Sequence, residues 1–499
     1  MVVMADPASI TAHVRALARP QTAQRAAEAL RVLSAEEVNR GSVVDAGAIP
    51  ALMSLLRDGC DGAKAGAAGA LWNIAIDVGY AVVIAEAGAI SPLISLVRAG
   101  SARAQAKAAG ALRTLSLNKD NKLAVASAGA IPPLIALVKN GNDAGKNLAA
   151  SALWNLSVLD TVKVTICEEG GITVLVDLLG DGSNAKKPAL GALCNLSKNE
   201  ECKVTLAATG AILPLIALLR DSINKARAAS TLWNLAKKTD CKIDIAAAGG
   251  IPLLCDLLSD EDDATKGSAA GALWCLALNV ENKVLIDKAG GIPPLVSLAR
   301  DGCDAFKIRA AGALWNLSAN YECSIAIHQA GGIPALVDLL RVSGLASEKA
   351  AGALANLVYK PDIAVAIVEA GGIPALVAVV SLSNSRVAKE KALSVASRLT
   401  IVDANRPVMV EAGAVPPLVA VLRDGNDVMR EYAAGALCDI CLEDDGQAAC
   451  VEAGALHPLV AVLRDVSAKT KSNACGALQN LLCAKSPRRN PLWRSARSR

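Results

Sequence analysis

Gly290-Gly291-Ile292-Pro293-Pro294-Leu295-Val296-Ser297-Leu298, followed by Ala310-Ala311-Gly312-Ala313-Leu314-Trp315-Asn316-Leu317-Ser318, decides the fold of this chain. Upstream of it, Asn282 to Lys288 reads as a short helix that the glycine pair ends, because a residue without Cβ adopts the left-handed conformation that terminates a helix. Pro293 falls in the first turn of the next helix, where its missing N–H does no harm. Ile292, Leu295, Val296 and Ala299, at i, i+3, i+4 and i+7, predict one buried stripe. Arg300-Asp301-Gly302 reads as a turn. Ala310, Ala313, Leu314 and Leu317 carry the same spacing in a third helix, and no strand-like alternation intervenes.

The pattern recurs along the chain. Its first glycine returns at Gly47, Gly88, Gly129, Gly170, Gly210, Gly249, Gly290, Gly331, Gly371, Gly413 and Gly454, in steps of 39 to 42 residues. Each unit of about 41 residues therefore reads as three helices, the first short. One unit cannot bury its apolar faces alone, but stacked units can, which makes a quasi-one-dimensional solenoid. With helix layers roughly 10 Å apart, eleven units would extend on the order of 100 Å, long enough to hold an extended partner segment. Residues 36–482 form the array. Residues 7–34 keep helical periodicity at Ala16, Leu17 and Ala26 to Leu33 but lack the Gly-Ile-Pro signature, and read as a degenerate cap repeat. Residues 1–6 and the basic tail 483–499, with Lys485, Arg488, Arg489, Arg494, Arg497 and Arg499, read as disordered ends.

Composition fits that reading. Only 2% of the 499 residues are aromatic, with a single Phe, so space is filled by Ala, Leu, Val and Ile. The most apolar stretch, Ile363 to Val380, is broken by Glu369, Gly371, Gly372 and Pro374, so no membrane span is expected. The first residues lack a secretory signal, and Val2 stands where myristoylation needs glycine. A net charge of +4 is too dilute for the whole chain to be a nucleic-acid binder. Fourteen scattered cysteines fit a reduced compartment, and the cytoplasm, with the nucleus second, is the expected location.

The segments 290–298 and 310–318 resemble the armadillo repeat, over about residues 36–482. Closest in pattern are the armadillo-only proteins and the armadillo portions of plant U-box proteins and of the yeast vacuolar armadillo protein. That resemblance implies an all-α, right-handed superhelix of about eleven three-helix repeats, with the third helices lining a concave groove. No U-box segment precedes the repeats, so ligase activity is not carried over. Importin-type relatives place a groove Trp four residues before a conserved Asn. Here that position is Gly69, Gly110, Ser151, Gly191, Ser230, Gly271, Gly312, Gly352, Ser394, Gly435 and Gly476, and neither that Trp nor a basic importin-β-binding arm is present. An import receptor is not expected.

The third helix carries the candidate site. At the Asn of Leu-Trp-Asn-Leu stand Asn73, Asn155, Asn195, Asn234, Asn316, Asn356 and Asn480, interrupted by Thr114, Cys275, Arg398 and Asp439. Asn is a poor helix former, so its recurrence in mid-helix calls for a reason. The resemblance implies that these amides face the groove, where one acceptor and two donors can pair with the backbone of an extended peptide. The other reading is that each amide bonds a neighbouring repeat. Five of the six tryptophans, Trp72, Trp154, Trp233, Trp274 and Trp315, hold the position just before the Asn. They either wall pockets for partner side chains or pack as core. Seven residues before the Asn, about two turns, come Lys107, Arg227, Arg309, Lys349 and Lys391 and no acid. They are either a basic groove suited to an acidic segment or solvated charge. Binding is expected along the first eight repeats, and replacing Asn155, Asn234 and Asn316 by Ala should weaken partner capture with little unfolding.

Chemistry finds little support. Cys438-x-x-Cys441 lies in the repeat frame, with His457 as the only nearby histidine, and reads as a buried structural pair rather than a zinc site. His13 and His328 are isolated, Cys60 and Cys303 hold equivalent turn positions, and no phosphate loop is present. The expectation is a non-catalytic scaffold or adaptor without cofactor, metal or small-molecule substrate, binding other proteins through extended, acidic segments. The alternatives are an accessory or substrate-recognition subunit of an enzyme such as a ubiquitin ligase, or an adaptor that meets nucleic acid or anionic membrane through its tail.

Overall fold

The computed structural model describes residues 5–180, 182, 184–465 and 467–482. Among them no strand occurs. Helices Pro7–Ala16 and Pro20–Ala35 form the cap, and the remaining α-helices fall in triplets around the signature glycines. The triplet around Gly290 is Val280–Lys288, Ile292–Asp301 and Asp304–Leu317. Repeats are numbered from the one around Gly47.

The glycine argument holds at every signature position: all eleven have φ between 69° and 83°, the region that favours a residue without Cβ. At six of these corners the first and second helices meet at 79–91°. The first helix begins earlier than its apolar pattern. Val280 already belongs to it, because Asn279 Oδ1 accepts from the Asn282 N–H at 3.0 Å. The expected turn at Arg300-Asp301-Gly302 is shorter than the sequence implies. The helix runs through Asp301, and the Gly302 N–H still donates to the Leu298 carbonyl at 3.1 Å.

Small side chains explain how the layers stack without aromatic filler. Ala310, Ala311, Ala313 and Leu314 are fully buried, as are Leu295 and Val296 of the second helix. The chain forms two compact units, Met1–Ala248 and Gly249–Arg499. In the first, the cap helix Pro20–Ala35 stacks on Asp61–Ile74, then Ala102–Leu115, Asp143–Leu156, Lys186–Leu196 and Lys225–Leu235. In the second, the third helices from Asp263–Leu276 to Ala468–Leu482 stack in the same way. Two second helices, in repeats 5 and 6, close with a tighter 3-10 turn, at Leu218–Arg220 and Leu257–Ser259. No single helix among the described residues is long and apolar enough to cross a membrane. The readings of residues 1–4 and of the tail 483–499 lie outside the described residues.

Candidate functional site: the third-helix face

The asparagine ladder ties the repeats together. Asn73 Nδ2 donates to the Arg31 carbonyl at 2.8 Å, Asn155 to Arg113 at 3.0 Å, Asn316 to Trp274 at 2.9 Å and Asn480 to Cys438 at 3.0 Å. Each acceptor is the residue that precedes the ladder position in the repeat before. Asn195 and Asn356 reach the Trp154 and Trp315 carbonyls and also the Ser157 and Ser318 hydroxyls, and Asn234 donates to Ser197 Oγ at 3.0 Å. That serine, two residues after the Asn, is a partner the sequence reading missed, although Asn-Leu-Ser recurs at 155–157, 195–197 and 316–318. The expectation of little unfolding on removing these amides is therefore corrected, because each supplies a bond between repeats. Their acceptor side is differently placed: among the described residues only Asn234 Oδ1 accepts, from Lys237 at 3.2 Å.

Of the interruptions, Thr114 turns back on its own helix, donating to the Gly110 carbonyl at 3.0 Å, whereas Asp439 still bonds across repeats. Asp439 takes the ladder place with reversed polarity, accepting from Thr400 Oγ1 at 2.9 Å. Burial raises its pKa, against the opposing pull of Thr400 and Arg406. A raised folded-state value means that the stability gained on protonation is complete below the unfolded-state pKa and is lost as pH rises through the folded one. Asp439→Asn holds the neutral state at all pH and restores a donor toward the preceding repeat. Thermal unfolding at pH 7 should rise by about 1–2 °C, small because the site is partly solvated, and the gain over wild type should shrink in acid.

The five tryptophans are half-buried, and four of them explain a glycine at the position four before the ladder. An ideal Cβ on Gly110 would stand 2.7 Å from the Trp72 ring, and one on Gly312 would stand 2.5 Å from Trp274. Gly191 faces Trp154 and Gly352 faces Trp315 in the same way. The indoles of Trp72, Trp154, Trp274 and Trp315 thus lie across the next repeat's helix, over the position four before its ladder residue. Over the indoles sit the cations. Lys107 Nζ is 5.3 Å from the Trp72 centroid, Arg227 is 4.7 Å from Trp154, and Lys349 is 5.0 Å from Trp315 and 5.8 Å from Trp274. Such contacts contribute on the order of 0.5–1 kcal/mol at exposed sites. Trp233 receives Lys237 at 5.5 Å. Arg309 runs beside Gly267, and burial lowers its pKa. Lys391 pairs with Glu390 at 4.0 Å. Lys107, Arg227 and Lys349 thus come together with tryptophan shelves beneath them, while Lys391 is held by a neighbouring glutamate.

Charge is unevenly spread. The six third-layer helices of the first unit, the cap's Pro20–Ala35 included, hold eleven Lys and Arg against three Asp and Glu. Those of the second hold eleven against seven. Chain totals are 51 Lys and Arg and 47 Asp and Glu, so outside these helices acids outnumber bases. In the second unit glutamates answer the bases: Glu348 pairs with Lys349 at 2.8 Å and Glu431 with Lys469 at 2.8 Å.

A row of exposed apolar residues escaped the sequence reading. Three residues after the ladder position stand Ile76, Leu117 and Val158 in the first unit, and Leu278, Tyr359, Ile401 and Leu442 in the second, all about half exposed or more. Alignment at that offset would have found them, whereas periodicity cannot, because they lie in the turn after the helix. Elsewhere the chemistry is quiet. Among the described residues no three His, Cys, Asp or Glu gather as a metal site. Cys441 donates to Cys450 Sγ at 3.4 Å, so its close partner is Cys450 rather than Cys438.

This is a helical repeat protein whose third helices present an aromatic and basic face. A family model described as the armadillo repeat region of plant U-box proteins matches residues 158–396, and the armadillo/β-catenin-like repeat model matches residues 37–76, 118–158, 403–442 and 444–483. The chain belongs to the armadillo-repeat proteins. Among solved structures it is similar to an engineered protein from the Northeast Structural Genomics Consortium, with a TM-score of 0.70 and 29% identity over 79% of this chain and 98% of that one. It is also similar to a chain from a study of the phosphorylation switch controlling the interaction between cadherin and β-catenin, with a TM-score of 0.80 over 97% of this chain and 100% of that one. At 18% identity, the latter likeness concerns the fold alone. A comparison with curated protein sequences gave no match.

Proposed function

We propose that this chain is a non-catalytic protein-interaction scaffold that binds an extended, acidic segment of another protein along its third-helix face, chiefly in the first unit. The observation that carries this reading is the charge of the helices that build that face, eleven basic against three acidic residues. Complementary charge steers association and selects partners more than it sets final affinity. The Trp72 and Trp154 shelves add large contact area at low entropic cost, and the ladder's amide oxygens add acceptors for backbone N–H groups. The cytoplasm, with the nucleus second, is the compartment we assign, and a fluorescent fusion in cells tests it.

The binding test uses a fluorescein-labelled twelve-residue Glu-Gly peptide, with a Lys-Gly peptide as control, followed by anisotropy. The acidic peptide should bind and weaken as salt rises. Arg227→Glu should weaken it about tenfold, as expected for one reversed charge, with only the small loss in thermal stability that removing its contact with the Trp154 ring implies. Equal binding of the Lys-Gly peptide, or an unchanged affinity in the Arg227 variant, overturns the reading.

A further inference from the structure

A surplus of positive charge gathers where the cap meets the first two repeats. Glu28 of the cap helix accepts from Arg31 at 2.7 Å and from Arg103 at 3.0 Å, so two guanidinium groups share one carboxylate. A third cation joins them. An ideal Cβ on Gly69 would meet Arg31 Cδ at 2.6 Å and Lys107 Cδ at 3.5 Å, so both stems run across the same bare helix surface. Lys107 lies over Trp72, and among the described residues it makes no ion pair. Arg31 Nε is buried without a hydrogen-bond partner. Burial and the like charges of Arg31 and Arg103 pull the Lys107 pKa down, while Glu28 alone opposes them. Arg103 is exposed, and Arg31, Lys107 and Trp72 are part-exposed, so the cluster opens to solvent.

We infer that Arg31, Arg103 and Lys107 form an anion subsite for a phosphorylated Ser or Thr side chain carried by the bound segment, with Glu28 as the internal anion that holds the site together when it is empty. The inference rests on the peptide-binding reading of this face. Three cations against one carboxylate leave a local surplus of two positive charges, which a phosphate monoester, at about −1.5 to −2, neutralises better than one carboxylate does. Guanidinium groups present paired donors that match phosphate oxygens, and an ammonium adds a point charge. Glu28 already shows that an anion seats between Arg31 and Arg103.

The test follows the Trp72 indole N–H in protein labelled with [15N]Trp, the peak being assigned with Trp72→Phe. The probes are Ac-Gly-Gly-pSer-Gly-Gly-NH2, its Ser form, and inorganic phosphate alone. The phosphopeptide should move the Trp72 peak at least fivefold more readily than the Ser form. Inorganic phosphate should move it at higher concentration. Lys107→Gln should weaken phosphopeptide binding at least threefold, and Glu28→Gln, by removing the competing carboxylate, should tighten it about threefold. Unmoved remaining indole peaks in each variant report an intact fold, and Arg103→Gln replaces any variant that fails this check, with the same expected weakening. Equal response to the pSer and Ser peptides overturns the subsite. A response to phosphate but not to the phosphopeptide overturns the side-chain assignment, since a free anion then fills the site. Unchanged affinity in both the Lys107 and Glu28 variants also overturns it. Where these fail but the Glu-Gly peptide still responds to Arg227→Glu, the phosphate subsite alone falls and the scaffold reading stands.

Discussion

Replacing Asn155, Asn234 and Asn316 together by Ala is expected to cost about 3 kcal/mol of stability, roughly 1 kcal/mol at each site. Each amide donates to an acceptor of the preceding repeat, at 3.0, 3.0 and 2.9 Å. Removing a donor costs more than the bond itself where the partner stays out of water, and Asn234 is only 7% exposed with Ser197 fully buried. In a solenoid such losses act between nearest neighbours, so the damage should appear locally before global melting. Hydrogen exchange should show faster exchange in the helices Asp143–Leu156, Lys225–Leu235 and Asp304–Leu317. Unchanged exchange and thermal unfolding would show that the inter-repeat bonds contribute nothing measurable. Asn→Asp variants separate the roles, since they keep the acceptor for a partner and lose the donor to the neighbouring repeat.

The second large effect lies beneath the indoles. Gly312→Leu should lower stability by about 2 kcal/mol, although leucine is a better helix former than glycine by nearly 1 kcal/mol. The Cβ alone would stand 2.5 Å from Trp274, and backbone or ring must shift to admit the side chain. Overpacking of this kind costs roughly 1–3 kcal/mol. Trp274→Ala is destabilising by itself, yet combined with Gly312→Leu it should recover at least 1 kcal/mol relative to the sum of the two, because the leucine then fills the vacated space. Additive losses would mean that the indole does not sit on Gly312. The same cycle at Trp72 and Gly110 lies inside the face proposed to bind peptide in the first unit. There it should also weaken the Glu-Gly peptide, because Lys107 rests on that ring.

The repeat architecture was legible because its cause is local. Gly290 ends one helix by its own left-handed geometry, Pro293 starts the next through its own fixed φ, and the spacing of Leu295 and Val296 marks a buried stripe without reference to distant residues. The ladder position and the tryptophans were legible as recurrences, because eleven copies of one motif make a mid-helix Asn stand out. What these side chains touch was not legible. Asn316 meets Trp274 across 42 residues, and Arg227 reaches a tryptophan two repeats earlier. Helix length cannot reveal such pairings, because they depend on how far each layer is rotated on the next.

By itself, then, the sequence determined the helical triplet, its period, the left-handed glycines and the positions that recur on the third helix, since each follows from backbone sterics or from apolar spacing within one repeat. Only the tertiary structure decided that the asparagine donors are engaged between repeats, that Gly110, Gly191, Gly312 and Gly352 are glycine where the previous indole lies across the helix, and that Glu28, Arg31, Arg103 and Lys107 gather at one place. Those are contacts between layers. Their energies come from exclusion of volume and from charges brought together through space, and neither is written in the order of residues along the chain.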